Sequence, residues 1–274
     1  MNNAASQHGK DVDRLMWISM VLIFTVQIIT QALLHYFAFK YRGKKGQTAT
    51  YFSDNNKLEF IWSSIPAIVL AVLIFFGLYS WTDIMFVNEK VEKPIVIEIY
   101  AQQFKWTARY AGEDNVLGKA NVRLIEGVNA LGVDLNDPNA QDDIVTDELH
   151  LPKWKKVIFK IRSQDVLHSM YMPHFRAQMN CVPGMSTVFP FTPIKTTAEA
   201  RASKGNPNFD YYLYCNKICG AAHYNMKIKI TVVGSESEYN TWLAAQAKMV
   251  APAVEAAPAA ADSTAVSPAA VAAN

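Results

Sequence analysis

Four residues late in the chain have types and spacings suited to metal chemistry. In Cys215-Asn-Lys-Ile-Cys-Gly-Ala-Ala-His-Tyr-Asn-Met226, the residues Cys215, Cys219, His223 and Met226 follow one another at intervals of four, four and three. A further histidine, His168, stands upstream in Asp165-Val-Leu-His-Ser. Two histidines, one cysteine and a weak methionine make a single-copper site on a β scaffold, because copper prefers soft thiolate and imidazole donors. Here a second cysteine is added. Two thiolates and two imidazoles suffice to bridge and terminate two copper ions, with one unpaired electron spread over both. Two other readings stay open on the residues alone. The cysteines could form a disulfide, or a Cys2His2 zinc site, although those spacings differ and zinc has no use for methionine. A thiol oxidoreductase would show Cys-x-x-Cys instead. The third cysteine, Cys181, belongs to no such set and reads as a small buried hydrophobe.

Such a site needs a scaffold, and the chain supplies two kinds. Residues 15–39 and 60–82 are long apolar runs, and about 20 such residues cross the hydrocarbon of a bilayer. A cleaved signal peptide is a poorer account of the first run, whose apolar stretch is long and has no small-residue cleavage site after it. The loop between the runs carries Lys40, Arg42, Lys44, Lys45 and Lys57, so it is expected to face the cytoplasm, with both termini outside. Trp17 and Trp81 then fit anchors at the external interface. Gln27, Gln31 and His35 share one helical face, which suits contact with a membrane partner better than with lipid. The expected layout is an external N-terminal segment (1–14), a first span (15–39), a cytoplasmic basic loop (40–58) and a second span (59–83). An external domain follows over 84–250, and then a tail over 251–274.

Beyond Trp81 the texture becomes that of strands. Alternating, β-branched segments begin at Pro94, Lys156, Ser186 and Lys227, with an aromatic stretch over Tyr211 to Tyr214. No helical period is apparent before Glu236. The expectation is a two-helix transmembrane hairpin carrying an all-β Greek-key sandwich or barrel. Residues 111–143, rich in glycine and acidic residues, read as an inserted surface loop. The Ala/Pro tail has too little bulk for a core and is expected to be disordered. A net charge of +2 with 51% hydrophobic residues gives nucleic acid no footing as a partner.

The pattern Cys-x-x-x-Cys-Gly-x-x-His-x-x-Met, with Ser163-Gln-Asp-Val-Leu-His-Ser169 upstream, resembles subunit II of cytochrome c oxidase and its binuclear CuA centre. The resemblance covers residues 15 to 242. It implies copper ligands at His168, Cys215, Cys219, His223 and Met226, and at the backbone carbonyl of Lys217. It implies electron receipt from cytochrome c and transfer to haem in the haem–copper subunit I, where oxygen is reduced to water with proton pumping. Subunit III is a further implied partner. The implied location is a bacterial inner membrane with the copper domain and both termini periplasmic. Glu59, in Glu59-Phe-Ile-Trp62, resembles the glutamate at the mouth of a proton-uptake channel. Phe104 and Trp106, in Gln103-Phe-Lys-Trp106, resemble the aromatic stretch that accepts the electron, and strand alternation would put both on one face.

Three departures stand out. Lys217 replaces the family's glutamate, so it brings no carboxylate to the magnesium site at the subunit interface. Phe104 replaces a tryptophan, and Gln178-Met-Asn180 stands where a basic and an acidic residue are common. No Cys-x-x-Cys-His occurs, so no covalent haem is expected in this chain. A quinol-oxidising relative lacks the copper cysteines. A CuA-bearing subunit of a nitric-oxide reductase, or a non-enzymatic copper-delivery membrane protein, is the alternative reading.

Overall fold

The computed structural model describes residues 4–49 and 51–249. The expectation of disorder over 251–274 lies outside the described residues. Two long helices come first, α1 (Gly9–Lys40) and α2 (Asn56–Met85). Both are long and apolar enough to span a membrane, and their apolar windows are unburied by the rest of the chain. Asn55 caps α2 by accepting a hydrogen bond from Leu58 N at 3.0 Å.

Helix α1 starts earlier than the composition suggested. Residues 9–14, expected as an external segment, are helical because the folded domain holds them. Arg176 donates through Nε and Nη2 to the two carboxylate oxygens of Asp13, at 2.6 and 3.1 Å. Before the helix, residues 5–7 lie against residues 192–194 with strand-like bonds, Gln7 N to Thr192 O at 3.0 Å and Ile194 N to Ala5 O at 2.8 Å. Ala5 and Ser6 are fully buried there. The N-terminal segment is therefore part of the domain.

A short helix, α3 (Glu89–Glu92), leads into ten strands: β1 (Ile95–Gln102), β2 (Lys105–Tyr110), β3 (Ile144–Thr146), β4 (Glu148–Pro152), β5 (Val157–Ser163), β6 (His168–Met172), β7 (Ala177–Cys181), β8 (Thr187–Phe191), β9 (Tyr211–Cys215) and β10 (Lys227–Val233). They form two five-stranded sheets, ordered β3-β2-β1-β5-β8 and β4-β10-β9-β6-β7. The β1–β5 and β10–β4 pairs are parallel and the others antiparallel. Period-2 alternation explains the sandwich: Ile97, Ile99, Val157, Phe159 and Ile161 turn inward from one sheet, and Met170, Leu213, Ile228 and Ile230 from the other.

The insertion over 111–143 is not a free surface loop. Leu131, Val133 and Ala140 pack on Tyr100, which points from β1 away from the main core. Charge holds the same cover in place. Arg109 is buried and donates to Glu98 and Asp143, both at 2.7 Å, and to Gly118 O at 2.9 Å. Arg162 also pairs with Glu98 and donates to Leu131 O at 3.1 Å. Burial works against ionisation of Glu98, but the two guanidinium groups overcome it and hold that carboxyl below its usual range. Asp143 has one guanidinium, Arg109, and the Gly118 N–H, both on Oδ2, and among the described residues its Oδ1 has no partner. Burial dominates there and pushes its carboxyl up to about 6.

Two helices follow the strands. The segment Thr196-Thr-Ala-Glu199 forms a capping box, with Glu199 N donating to Thr196 Oγ1 at 3.0 Å and Thr196 N to Glu199 Oε2 at 2.8 Å. It starts α4 (Thr197–Lys204), which the hydrophobic pattern alone does not show. Helix α5 (Glu236–Ala244) packs at the other end through Trp242, stacked on His150 with ring centroids 4.0 Å apart.

Candidate metal centre

The end of β9 and the start of β10 bound one loop, residues 216–226, and its base is closed by backbone bonds. Cys215 N donates to Met226 O at 3.1 Å, and Asn216 N donates to Ser169 O at 2.9 Å on β6. A 3₁₀ turn over His223–Asn225 then brings Met226 N to His223 O at 3.2 Å. From below, Trp106 Nε1 donates to Met226 O at 3.4 Å. The pairing Met170↔Cys215 sets β6 beside β9 and carries His168 to the loop.

The result is a compact set of donors. The Sγ atoms of Cys215 and Cys219 lie 3.8 Å apart and are not bonded to each other. His168 Nδ1 is 3.8 Å from Cys215 Sγ, and His223 Nδ1 is 3.5 Å from Cys219 Sγ. Met226 Sδ is 3.8 Å from Cys219 Sγ, and the carbonyl oxygen of Lys217 is 3.2 Å from Cys215 Sγ. The ligand atoms of His168, Cys215 and Cys219 all fall within 4.8 Å of one another. Every residue expected as a ligand is thus drawn into one space, although His168 is 47 positions from Cys215 in sequence. Two thiols, two imidazoles, a thioether and a carbonyl match the soft-donor preference of copper, and the sulfur separation leaves both thiolates free to share metal. Burial, then the neighbouring Cys215 sulfur, pushes the Cys219 thiol up to about 11, so metal uptake here must displace protons. Cys181 is fully buried, and burial pushes its thiol up to about 12, as suits an inert core cysteine.

A surrounding layer holds the ligands in place. His168 Nε2 lies 2.8 Å from Asp165 Oδ1, which makes Nε2 the protonated nitrogen and leaves the Nδ1 lone pair facing the sulfurs. Asp165 also accepts from Gln103 N at 2.7 Å and Val166 N at 2.6 Å. Burial alone would raise this carboxyl. The bond from Gln103 N, then those from His168 and Val166, hold it below its usual range. The Gln103 side chain reaches back to donate to Cys219 O. Gly220 has φ +142, and a Cβ there would stand 2.8 Å from Phe104 Cε1 and Cζ. The glycine therefore lets the Phe104 ring lie directly on the ligand loop.

Asp165 was visible in sequence only as part of a motif. Nothing in the sequence assigned roles to Gln103 or Gly220, because their partners lie far away in the chain, 62 and 116 positions from Gln103 in the cases of Asp165 and Cys219. Phe104 and Trp106 do not share a strand face. Phe104 is half-buried in the turn between β1 and β2, where Gln102 pairs Lys105, so strand alternation does not extend to it. Trp106, on β2, is 2% exposed and meets the His168 ring edge-on at 6.2 Å. It lies beneath the centre, not at the surface. Glu59 is exposed in the first turn of α2, at the end of the molecule joined to the basic loop.

A two-sheet sandwich with this donor set at the mouth of one strand–loop–strand, carried on two apolar helices, defines a membrane-anchored cupredoxin-like metal protein. Family models agree over most of the chain. Residues 1–82 match the transmembrane domain of cytochrome c oxidase subunit II, and residues 95–233 match its periplasmic domain. The chain belongs to the cytochrome c oxidase subunit II family. It is 38% identical over 232 residues to the alternative cytochrome c oxidase subunit 2 of Bradyrhizobium diazoefficiens, covering 84% of this chain and 76% of that one. The cytochrome c oxidase subunit 2 of Cereibacter sphaeroides is 24% identical over 82% of this chain and 72% of its own. Among solved structures, the periplasmic domain of subunit II of cytochrome oxidase of Bradyrhizobium japonicum is 24% identical, with a TM-score of 0.37 over 55% of this chain and 91% of that one. The chain is accordingly a two-span membrane subunit of a terminal oxidase complex.

Proposed function

We propose that this chain is the electron-receiving subunit of a proton-pumping cytochrome c oxidase. It takes electrons from cytochrome c and delivers them to the haem of subunit I, where oxygen is reduced to water. One observation carries the reading: two cysteine sulfurs 3.8 Å apart, each flanked by an imidazole nitrogen, at 3.8 and 3.5 Å. His168, Cys215, Cys219, His223, Met226 and the Lys217 carbonyl are the residues that would hold two copper ions. When bound, copper would supply a one-electron relay at these donors.

The chain's own groups prepare that site. Asp165 accepts from Nε2 of His168, so that in the neutral ring the free lone pair is the one on Nδ1. The bonds at the base of the loop fix the donors before metal arrives, which lowers the ordering cost of binding. Trp106 seals the inner side, while the Phe104 ring lies on the loop at Gly220 and is the better of the two for receiving the electron. Lys217 contributes only its carbonyl, so any magnesium at the subunit interface must find its carboxylates elsewhere.

The basic loop supports a cytoplasmic placement of residues 41–55. The domain and both ends would then lie on the periplasmic side of a bacterial inner membrane. On that topology Glu59 sits where proton uptake begins, and Gln27, Gln31 and His35 face subunit I or subunit III. The test is electron paramagnetic resonance of the full chain loaded with copper in detergent. The expected spectrum is one unpaired electron coupled equally to two copper nuclei, abolished by Cys219→Ser. A single-copper spectrum from the unsubstituted protein would refute the binuclear reading.

A further inference from the structure

We infer that the protein delivering electrons to this centre docks with an acidic face, an apolar contact area ringed by carboxylates. The inference rests on the copper reading of the centre given above. Residues bonded to the candidate ligands lie one Cα step, about 3.8 Å, from them, and so they define the surface an incoming protein meets. Leu167 precedes His168 and is 48% exposed, Ile218 precedes Cys219 and is 86% exposed, and Tyr224 follows His223 and is 88% exposed. Together with the Phe104 ring on Gly220, they give the centre an apolar crown.

The charges around that crown have one sign in excess. Lys105 follows Phe104 and Lys227 follows Met226; both are exposed. Neither is in an ion pair among the described residues. Lys227 is held over the Tyr212 ring at 5.2 Å, which leaves its charge uncompensated. The segments 103–105, 163–169 and 214–227 contain one carboxylate, Asp165. Its oxygens are already occupied by His168, Gln103 N and Val166 N. A partner with a basic face would meet two ammonium groups and one spent carboxylate. A partner with an acidic face would be steered in, its apolar centre closing over Ile218, Tyr224 and Leu167.

The test is stopped-flow reduction of the intact oxidase complex by two soluble c-type cytochromes, one with an acidic docking face and one with a basic face, across a range of salt. Prior bleaching of the copper absorption by a small-molecule reductant checks the centre itself. Its failure would overturn the copper reading, and the donor inference with it. With the centre reducible, the acidic cytochrome should react faster at low ionic strength and slow as salt rises. Lys105→Glu should slow that reaction about 3- to 10-fold at low salt, with Lys105→Gln intermediate. A faster low-salt reaction with the basic cytochrome would overturn the inference. An unchanged rate in Lys105→Glu would do the same, including the case where a companion subunit covers Lys105.

Discussion

Replacing Asp165 by asparagine isolates one carboxylate that serves both the centre and the turn above it. Three N–H donors converge on its two oxygens: His168 Nε2 and Val166 N on Oδ1, and Gln103 N on Oδ2, at 2.8, 2.6 and 2.7 Å. Asparagine keeps one oxygen and turns the other into an NH2 group, so at least one donor must face another donor. If the oxygen stays toward His168, the Gln103 turn comes loose; if it stays toward Gln103, His168 loses its acceptor. A hydrogen bond to a charged group contributes about 1.5–3 kcal/mol, and loss of a ligand's supporting partner typically costs about 10–100-fold in metal affinity. Asp165→Asn should therefore weaken copper binding by about 10–100-fold, measured by chelator competition on the full chain in detergent. The metal-free fold should lose no more than about 3 kcal/mol in thermal or denaturant unfolding. Asp165→Glu, which keeps the charge, should recover part of the affinity. Copper affinity within about twofold of the unsubstituted protein would refute the argument, since it would mean His168 needs no acceptor to present Nδ1.

Other substitutions probe separate parts of the molecule. Arg109→Ala strips the shared cation from buried Glu98 and Asp143 and should destabilise the domain by about 3–5 kcal/mol, read as a lowered unfolding midpoint. An Arg109→Ala protein as stable as the parent would show that the insertion does not depend on Arg109. Asp143 has a folded-state pKa of about 6, above its unfolded value. Its contribution is thus fully present below about pH 4 and lost as pH rises through about 6, by no more than ~3 kcal/mol. Stability measured against pH should become flatter over that window in Asp143→Asn, and an unaltered profile would refute the assignment. Gly220→Ala forces a Cβ to within 2.8 Å of the Phe104 ring, at a φ of +142 that L residues rarely adopt. It should cost about 1–3 kcal/mol and slow reduction by the donor protein more than reduction by a small molecule. Glu59→Gln should slow steady-state oxygen reduction by the complex while leaving copper reduction unchanged in stopped flow. An undiminished turnover would remove Glu59 from the proton path.

Local order decided what the sequence could reveal by itself. The two spans are continuous apolar runs, so their existence needs no knowledge of neighbours. Strand segments such as Val157–Ser163 show their period within seven residues. Three of the four late metal donors lie on one short loop whose spacing is local. The capping box that starts α4 was equally local, in Thr196 and Glu199, but too short to register as a hydrophobic period. Tertiary structure decided what depends on distant partners. Only the β6–β9 pairing brings His168 to Cys215. The start of α1 depends on Arg176, 163 positions from Asp13. The insertion looked like a loop because its composition is polar. It is held by Arg109, Arg162 and Tyr100, which lie outside it. Phe104 and Trp106 look equivalent two residues apart, but one caps the ligand loop from a turn and the other is sealed beneath it. A turn ends strand alternation at a position that only the pairing of β1 with β2 defines.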